Sequence, residues 1–137
     1  MASRAEHDER GLSISVLVVM IMGALIATAG LVIDGGQKVT ASARAESAAA
    51  GASRAAGNAV ATQLLGGRNP AGSAVLAARS YLAGQPGVRG SVTVAGGVVM
   101  ITTTATEPTI FLSAIGVTAV TGTGQATASV VATGQRR

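Results

Sequence analysis

LSISVLVVMIMGALIATAGLVI, residues 12–33, decides how this chain is read. It holds no charge and no Pro, and no strong helix breaker beyond Gly23 and Gly30. As a helix rising about 1.5 Å per residue, it extends about 33 Å, enough for a hydrocarbon core of about 30 Å. Its Leu, Ile and Val side chains each favour insertion by a few tenths of a kcal/mol. The first expectation is therefore a membrane helix over 11–33, bounded by Arg10 and Asp34. A short cytoplasmic tail over 1–10 precedes it. An Ala-rich stem helix over 34–65 and a small extracytoplasmic α+β domain over 66–137 follow.

A second reading competes for the same residues. Ala27-Thr28-Ala29 has the small-x-small form of a secretory cleavage site. Cleavage after Ala29 would release a small secreted binding module. The apolar run continues through Leu31, Val32 and Ile33, and the leading segment is net acidic, both of which favour a retained anchor. Orientation is not set by charge, because Arg4 and Arg10 precede the span while Lys38 and Arg44 follow it. A short head and a long, Thr-rich, lightly charged tail point to the N-terminus inside and the C-terminal domain outside.

Small residues recur on the span. Gly23, Ala27 and Gly30 stand at i, i+4 and i+7, a candidate helix-packing face. Beyond it, Asp34 marks the membrane boundary with Lys38 as its i, i+4 partner, and Gly35-Gly36 is a place for the helix to kink or fray. From Gln37 to Leu65, Ala45, Ala49, Ala52, Ala56 and Ala59 fall on one helical face. Thr40, Arg44, Ser47, Gly51, Arg54, Asn58 and Thr62 fall on the other. Alanine is the best helix former, so the stem continues the membrane helix as one rod that packs closely on a partner helix or a small sheet.

The remainder reads as alternating elements. Gly66-Gly67-Arg68-Asn69-Pro70 is a turn, and no Lys-Ser/Thr pair follows to make it a phosphate loop. Residues 71–82 form a short helix burying Val75, Leu76, Ala77 or Ala78, and Leu82. Tyr81 is a packing residue with a wet hydroxyl. Residues 91–106 form a β-hairpin about Gly96-Gly97. A two-residue turn sets Val94 opposite Val99 and Val92 opposite Ile101, all four on one face, with Thr93 opposite Met100 on the other. Pro108 begins a helix that lays Ile110, Phe111, Ala114 and Ile115 over the sheet before Gly116. Ala126, Ala128 and Val130 alternate with Thr127, Ser129 and Val131 as a half-buried strand.

Composition narrows the chemistry. The chain has no Cys, so disulfides and thiolate sites are out of reach. Past the span the acids are Asp34, Glu46 and Glu107, and the one His, His7, lies in the polar head, where solvation is its expected state. Ser and Thr are plentiful but lack a base, so no catalytic, cofactor or metal site is expected, and no small-molecule substrate. A net charge of +4 is spread thinly, without aromatics beside it, which argues against nucleic acid as a partner.

Arg10-Gly11, the apolar run, Gly30-Leu31-Val32-Ile33-Asp34-Gly35-Gly36 and the Ala-rich helix together resemble the TadE/TadG-like proteins of Flp (tight-adherence) pilus assembly. Phe111-Leu112, then Ile115-Gly116-Val117 and an Ala/Thr/Val strand, look like the end of such proteins. The resemblance covers most of the chain. It implies a non-enzymatic, minor-pilin-like role beside a secretion ATPase and an inner-membrane platform, with membrane lipid and other pilus-assembly proteins as partners. In prepilin-like members a peptidase cuts after a glycine that precedes the apolar run, and a glutamate stands five residues beyond. Gly11-Leu12 matches the cut, but the fifth residue is Val16, which favours the uncleaved, TadG-like kind.

Overall fold

A computed structural model of the chain describes residues 5–66 and 70–130, with side chains from Ile14 onward. It is an α+β protein in which one helix carries everything else. Helix α1 runs Ala5–Leu65, 61 residues and about 92 Å. The N-terminal tail is helical from Ala5, since its Ala, Glu and Arg content supports a helix already propagating from the apolar run. The helix also stays regular through Gly35-Gly36, so the expected fraying is not there. The two halves of this rod differ in what they touch. From Ile14 to Ile33 every side chain except Gly30 is exposed, whereas Ala41, Ala45, Ala49, Ala52 and Ala56 are fully buried.

After α1 come α2 (Pro70–Ala83), β1 (Val88–Ala95), β2 (Val98–Pro108), a 3-10 turn (Leu112–Ile115) and β3 (Ala119–Ser129). Residues 67–69 of the expected turn, and the chain from Val131, lie outside the described residues. The strands form one antiparallel sheet in the order β1-β2-β3. Gly96 and Gly97 both take positive φ, 56° and 76°, as a tight hairpin turn of this hand requires. The register pairs Val94 with Val99, Val92 with Ile101 and Thr93 with Met100, as the Gly-Gly turn dictates. β3 then pairs with β2, setting Ala126 against Ile101 and Gly124 against Thr103.

The sheet's inner face is a wedge, and the wedge fits the rod. At the hairpin end it carries Val92, Val99 and Ile101, whose bulk fills a core with Ala48, Ala49, Ala52, Ala56 and Val60 of α1 and Ala74, Ala78 and Leu82 of α2. At the other end the facing row is Gly90, Thr103 and Gly124, beside Ala105 and Gly122. There β3 touches the helix backbone itself: a methyl on Gly124 would fall 2.5 Å from Ala45 C and Glu46 N, and one on Gly122 would strike Ala41 and Ser42. A glycine admits backbone this close, and no other residue does. The Thr103 hydroxyl donates to Ala45 O at 2.6 Å, joining sheet to rod at the narrow end.

β3 is an edge strand, and α1 protects it. Lys38 Nζ donates to Thr121 O, and Ser53 Oγ donates to Thr127 O at 2.6 Å. Residues 121–127 of a strand cover about 20 Å, and residues 38–53 of a helix about 22 Å, so strand and rod run side by side over the same length. An otherwise bare strand edge is thereby closed against pairing with other chains. Arg44 adds a half-exposed ion pair to Glu107, Nη1 to Oε1 at 2.5 Å.

Three expectations about side chains are corrected. Leu76 points to solvent; α2 buries the expected Ala78 and Leu82 together with Ala74, whose small side chain lets the helix approach α1 closely. Lys38 does not pair with Asp34: it reaches across to β3, while Asp34 is taken by the loop after β2, part of the folded head that α2 and the sheet form on the rod. Pro108 ends β2 instead of starting a helix. The segment after it holds only a 3-10 turn, set against α1 rather than over the sheet.

Candidate functional site

Two surfaces lie where the chain can act: the bare apolar half of the rod, and the junction where the head meets it. The rod half from Ile14 to Ile33 is long and apolar enough to cross a membrane. Leu17, Val19, Met20, Leu25, Leu31 and Val32 are each more than half exposed, an arrangement that water opposes over so wide an area. Among the described residues of this half, only Gly30 is covered.

What covers Gly30 is Phe111. The ring of Phe111 lies so close that a methyl on Gly30 would fall 2.6 Å from Cγ. One helical turn further, Asp34 is buried and accepts three backbone N–H groups from the same segment. Ile110 N–H donates to Oδ1 at 2.8 Å. Phe111 and Leu112 N–H donate to Oδ2 at 3.1 and 2.6 Å. Three convergent donors make a site for a charged carboxylate and not for a protonated one. Burial works to raise the Asp34 pKa, but the bonds from Ile110, Leu112 and Phe111 together outweigh it, and the carboxyl is held below its ordinary value of 3.8.

The residues singled out in the sequence therefore part company. Gly23 is open to the surroundings, with nothing within 4 Å of a methyl placed on it, and Ala27 is exposed beside it. Gly30, the third member of that face, is spent on Phe111 of its own chain. Ala27 and Ala29 both sit in regular, exposed helix. Gly11 and Leu12 lie within α1, as does Arg10, but their side chains fall outside the described residues, as does that of His7. Asp34 is a structural clasp as well as the end of the apolar stretch. Tyr81 packs on Gly51, where a methyl would strike its ring and hydroxyl, and is about one-third exposed.

Among the described residues, no group of three or more His, Asp or Glu side chains is placed to hold a metal ion. The outer face of the sheet presents a shallow depression lined by Arg89, Thr104, Thr106 and Thr121. Comparison with protein-family models, with curated proteins and with solved structures finds no match to this chain.

Proposed function

We propose that the chain is a non-enzymatic, membrane-anchored assembly protein of a tight-adherence (Flp) pilus system, minor-pilin-like in build. It sits in the cytoplasmic membrane with its N-terminus inside and its head outside. Its partners are membrane lipid and other pilus-assembly membrane proteins. The observation that carries this reading is the division of labour along α1. One half is apolar and bare, the other is alanine-lined and sheathed by a sheet, and the helix passes between them without a break. Such a rod transmits the position of a lipid-held segment to a folded head with no flexible joint. The mechanism is association: Gly23 and Ala27 leave a shallow strip on which a second helix can approach, where van der Waals contact rather than hydrophobicity drives pairing in lipid.

The test is crosslinking in cells between the rod, carrying a photoreactive residue at Val19, and proteins of the pilus apparatus. Gly23→Leu is expected to reduce the crosslinked products without changing the amount of protein in the membrane. Crosslinking unchanged by Gly23→Leu and by Ala27→Leu would remove the packing face from the mechanism.

One observation favours a second reading, a secreted module released after Ala29. Among the described residues, the first one of α1 that the head buries is Gly30, the residue that would become the new N-terminus. Opposing it, Leu31 and Val32 would remain exposed on the released protein. N-terminal sequencing of the mature chain separates the cases: Gly30 first means release, Leu12 first means prepilin-type processing, and an intact start means an anchor.

A further inference from the structure

The stretch leaving β2, PTIFLSAIGVT from Pro108 at the strand's end to Thr118, carries no charged side chain. It exposes Ile110, Phe111, Ile115 and Val117, the last two separated by the tight bend at Gly116. A soluble loop with this content is poorly placed in water. Its backbone is unusual in the opposite sense. The N–H groups of Ile110, Phe111 and Leu112 go to Asp34, that of Thr109 to Thr118 O, Ala114 to Phe111 O, Gly116 to Ser113 O and Val117 to Leu112 O. The hydroxyls of Thr109 and Ser113 are turned inward as well, donating to Val117 O and Ile110 O. Apolar side chains facing out, with most backbone N–H groups bonded within the fold, is what a segment needs in order to leave water, because unsatisfied polar groups are strongly disfavoured in hydrocarbon.

Its position matches that chemistry. Phe111 rests on Gly30, inside the apolar stretch, and the turn is tied to Asp34, the first residue beyond it. Exposed Leu31, Val32 and Ile33 stand at the same level of the rod. The apolar surface of the turn is thus continuous with the surface that the anchor reading places in lipid.

We propose that residues 110–117 form a second membrane contact, a turn that enters the outer interface of the bilayer beside the rod, with Asp34 sealing its backbone. The occupant of this surface is the lipid acyl region just below the headgroups. This inference rests on the anchor reading. It adds that the head does not merely hang from the rod but is set down on the membrane, which fixes its tilt and rotation.

The chain contains no Trp, so one introduced indole reports on one place. Full-length variants Ile115→Trp, Val19→Trp and Thr123→Trp are reconstituted in vesicles of phosphatidylcholine and phosphatidylglycerol, with bromine placed either near the headgroups or near the chain ends. All three positions are exposed in the fold, so the indole displaces nothing. The expected result is blue-shifted Ile115→Trp emission, lost to shallow bromine more than to deep. Val19→Trp should be lost to deep bromine, and Thr123→Trp to neither. Quenching of Val19→Trp with none of Ile115→Trp would overturn the turn contact and leave the anchor standing. A blue shift of Ile115→Trp without quenching would mean that protein, a second copy included, covers the turn, and would overturn it equally. No quenching of Val19→Trp would overturn both.

Discussion

Gly124→Ala adds one methyl at the point where strand and rod are closest, and its cost follows from the geometry. The methyl would lie 2.5 Å from Ala45 C, Ala45 O and Glu46 N. All three are backbone atoms of a regular helix and cannot swing aside. Ordinary carbon contacts need about 3.5–4.0 Å, so β3 has to retreat by about 1 Å. Overpacking of this kind costs about 1–3 kcal/mol. The retreat also stretches the 2.6 Å bond from the Thr103 hydroxyl to Ala45 O, worth about 1 kcal/mol. Ala recovers about 0.5–1 kcal/mol through its smaller backbone entropy loss. The net is about 1–3.5 kcal/mol, or roughly 5- to 300-fold in the opening equilibrium of the sheet from the rod. Hydrogen exchange of peptides from β2 and β3, measured on the full chain in detergent, reads that factor. Gly57→Ala is the control: a methyl there meets nothing within 4 Å, and protection should hold or rise slightly. Protection in Gly124→Ala equal to that of the unaltered chain would refute the close approach of β3 to α1.

Three further outcomes are expected. Gly51→Ala drives a methyl into the Tyr81 ring and should loosen α2 by about 1–3 kcal/mol, but by much less in a Tyr81→Ala background, and a double-mutant cycle in denaturant measures the coupling. Because the folded-state pKa of Asp34 is depressed, its clasp is at full strength above the ordinary value of 3.8 and weakens as pH falls through the lower folded value. Exchange in peptides covering 109–117 should therefore quicken in that acid range, and Asp34→Asn should be fast at neutral pH and lack that acid step. Arg44→Met removes an ion pair whose arginine is 45% exposed, so it should change stability by less than about 1 kcal/mol, and the small difference should shrink further at high salt in thermal melts.

Much of this architecture can be read from residue order because local signals and burial agree. The Gly96-Gly97 turn fixes a register, and that register puts Val92, Val94, Val99 and Ile101 on one face. The fold keeps this face, though Val94, at the open tip, stays partly exposed. The alanine stripe of α1 announces a surface meant for close contact, and the sheet supplies it. The glycines of β3 were less obvious, yet Gly122, Gly124, Ala126 and Ala128 recur with period two, the mark of a strand face pressed against backbone. Other features lie beyond local reading. Ile110, Phe111, Ala114 and Ile115 have helical spacing, but the N–H groups of 110–112 are captured by a carboxylate 76 to 78 residues away, and Gly116 at φ 93° ends the turn. Nothing near Asp34 or Lys38 in sequence shows that both reach into the head rather than to each other. For the candidate site, the apolar half of the rod and its boundary at Asp34 were legible, while the covering of Gly30 by Phe111 depended on a long-range contact.

The behaviour of the full-length chain in an alkaline carbonate wash of cell membranes, followed by its intact mass, bears on all of this at once. Lipid holding the stretch from Leu12 to Ile33 predicts that the protein stays with the sedimented membranes and leaves only with detergent. Full-length chain recovered in the supernatant would contradict it.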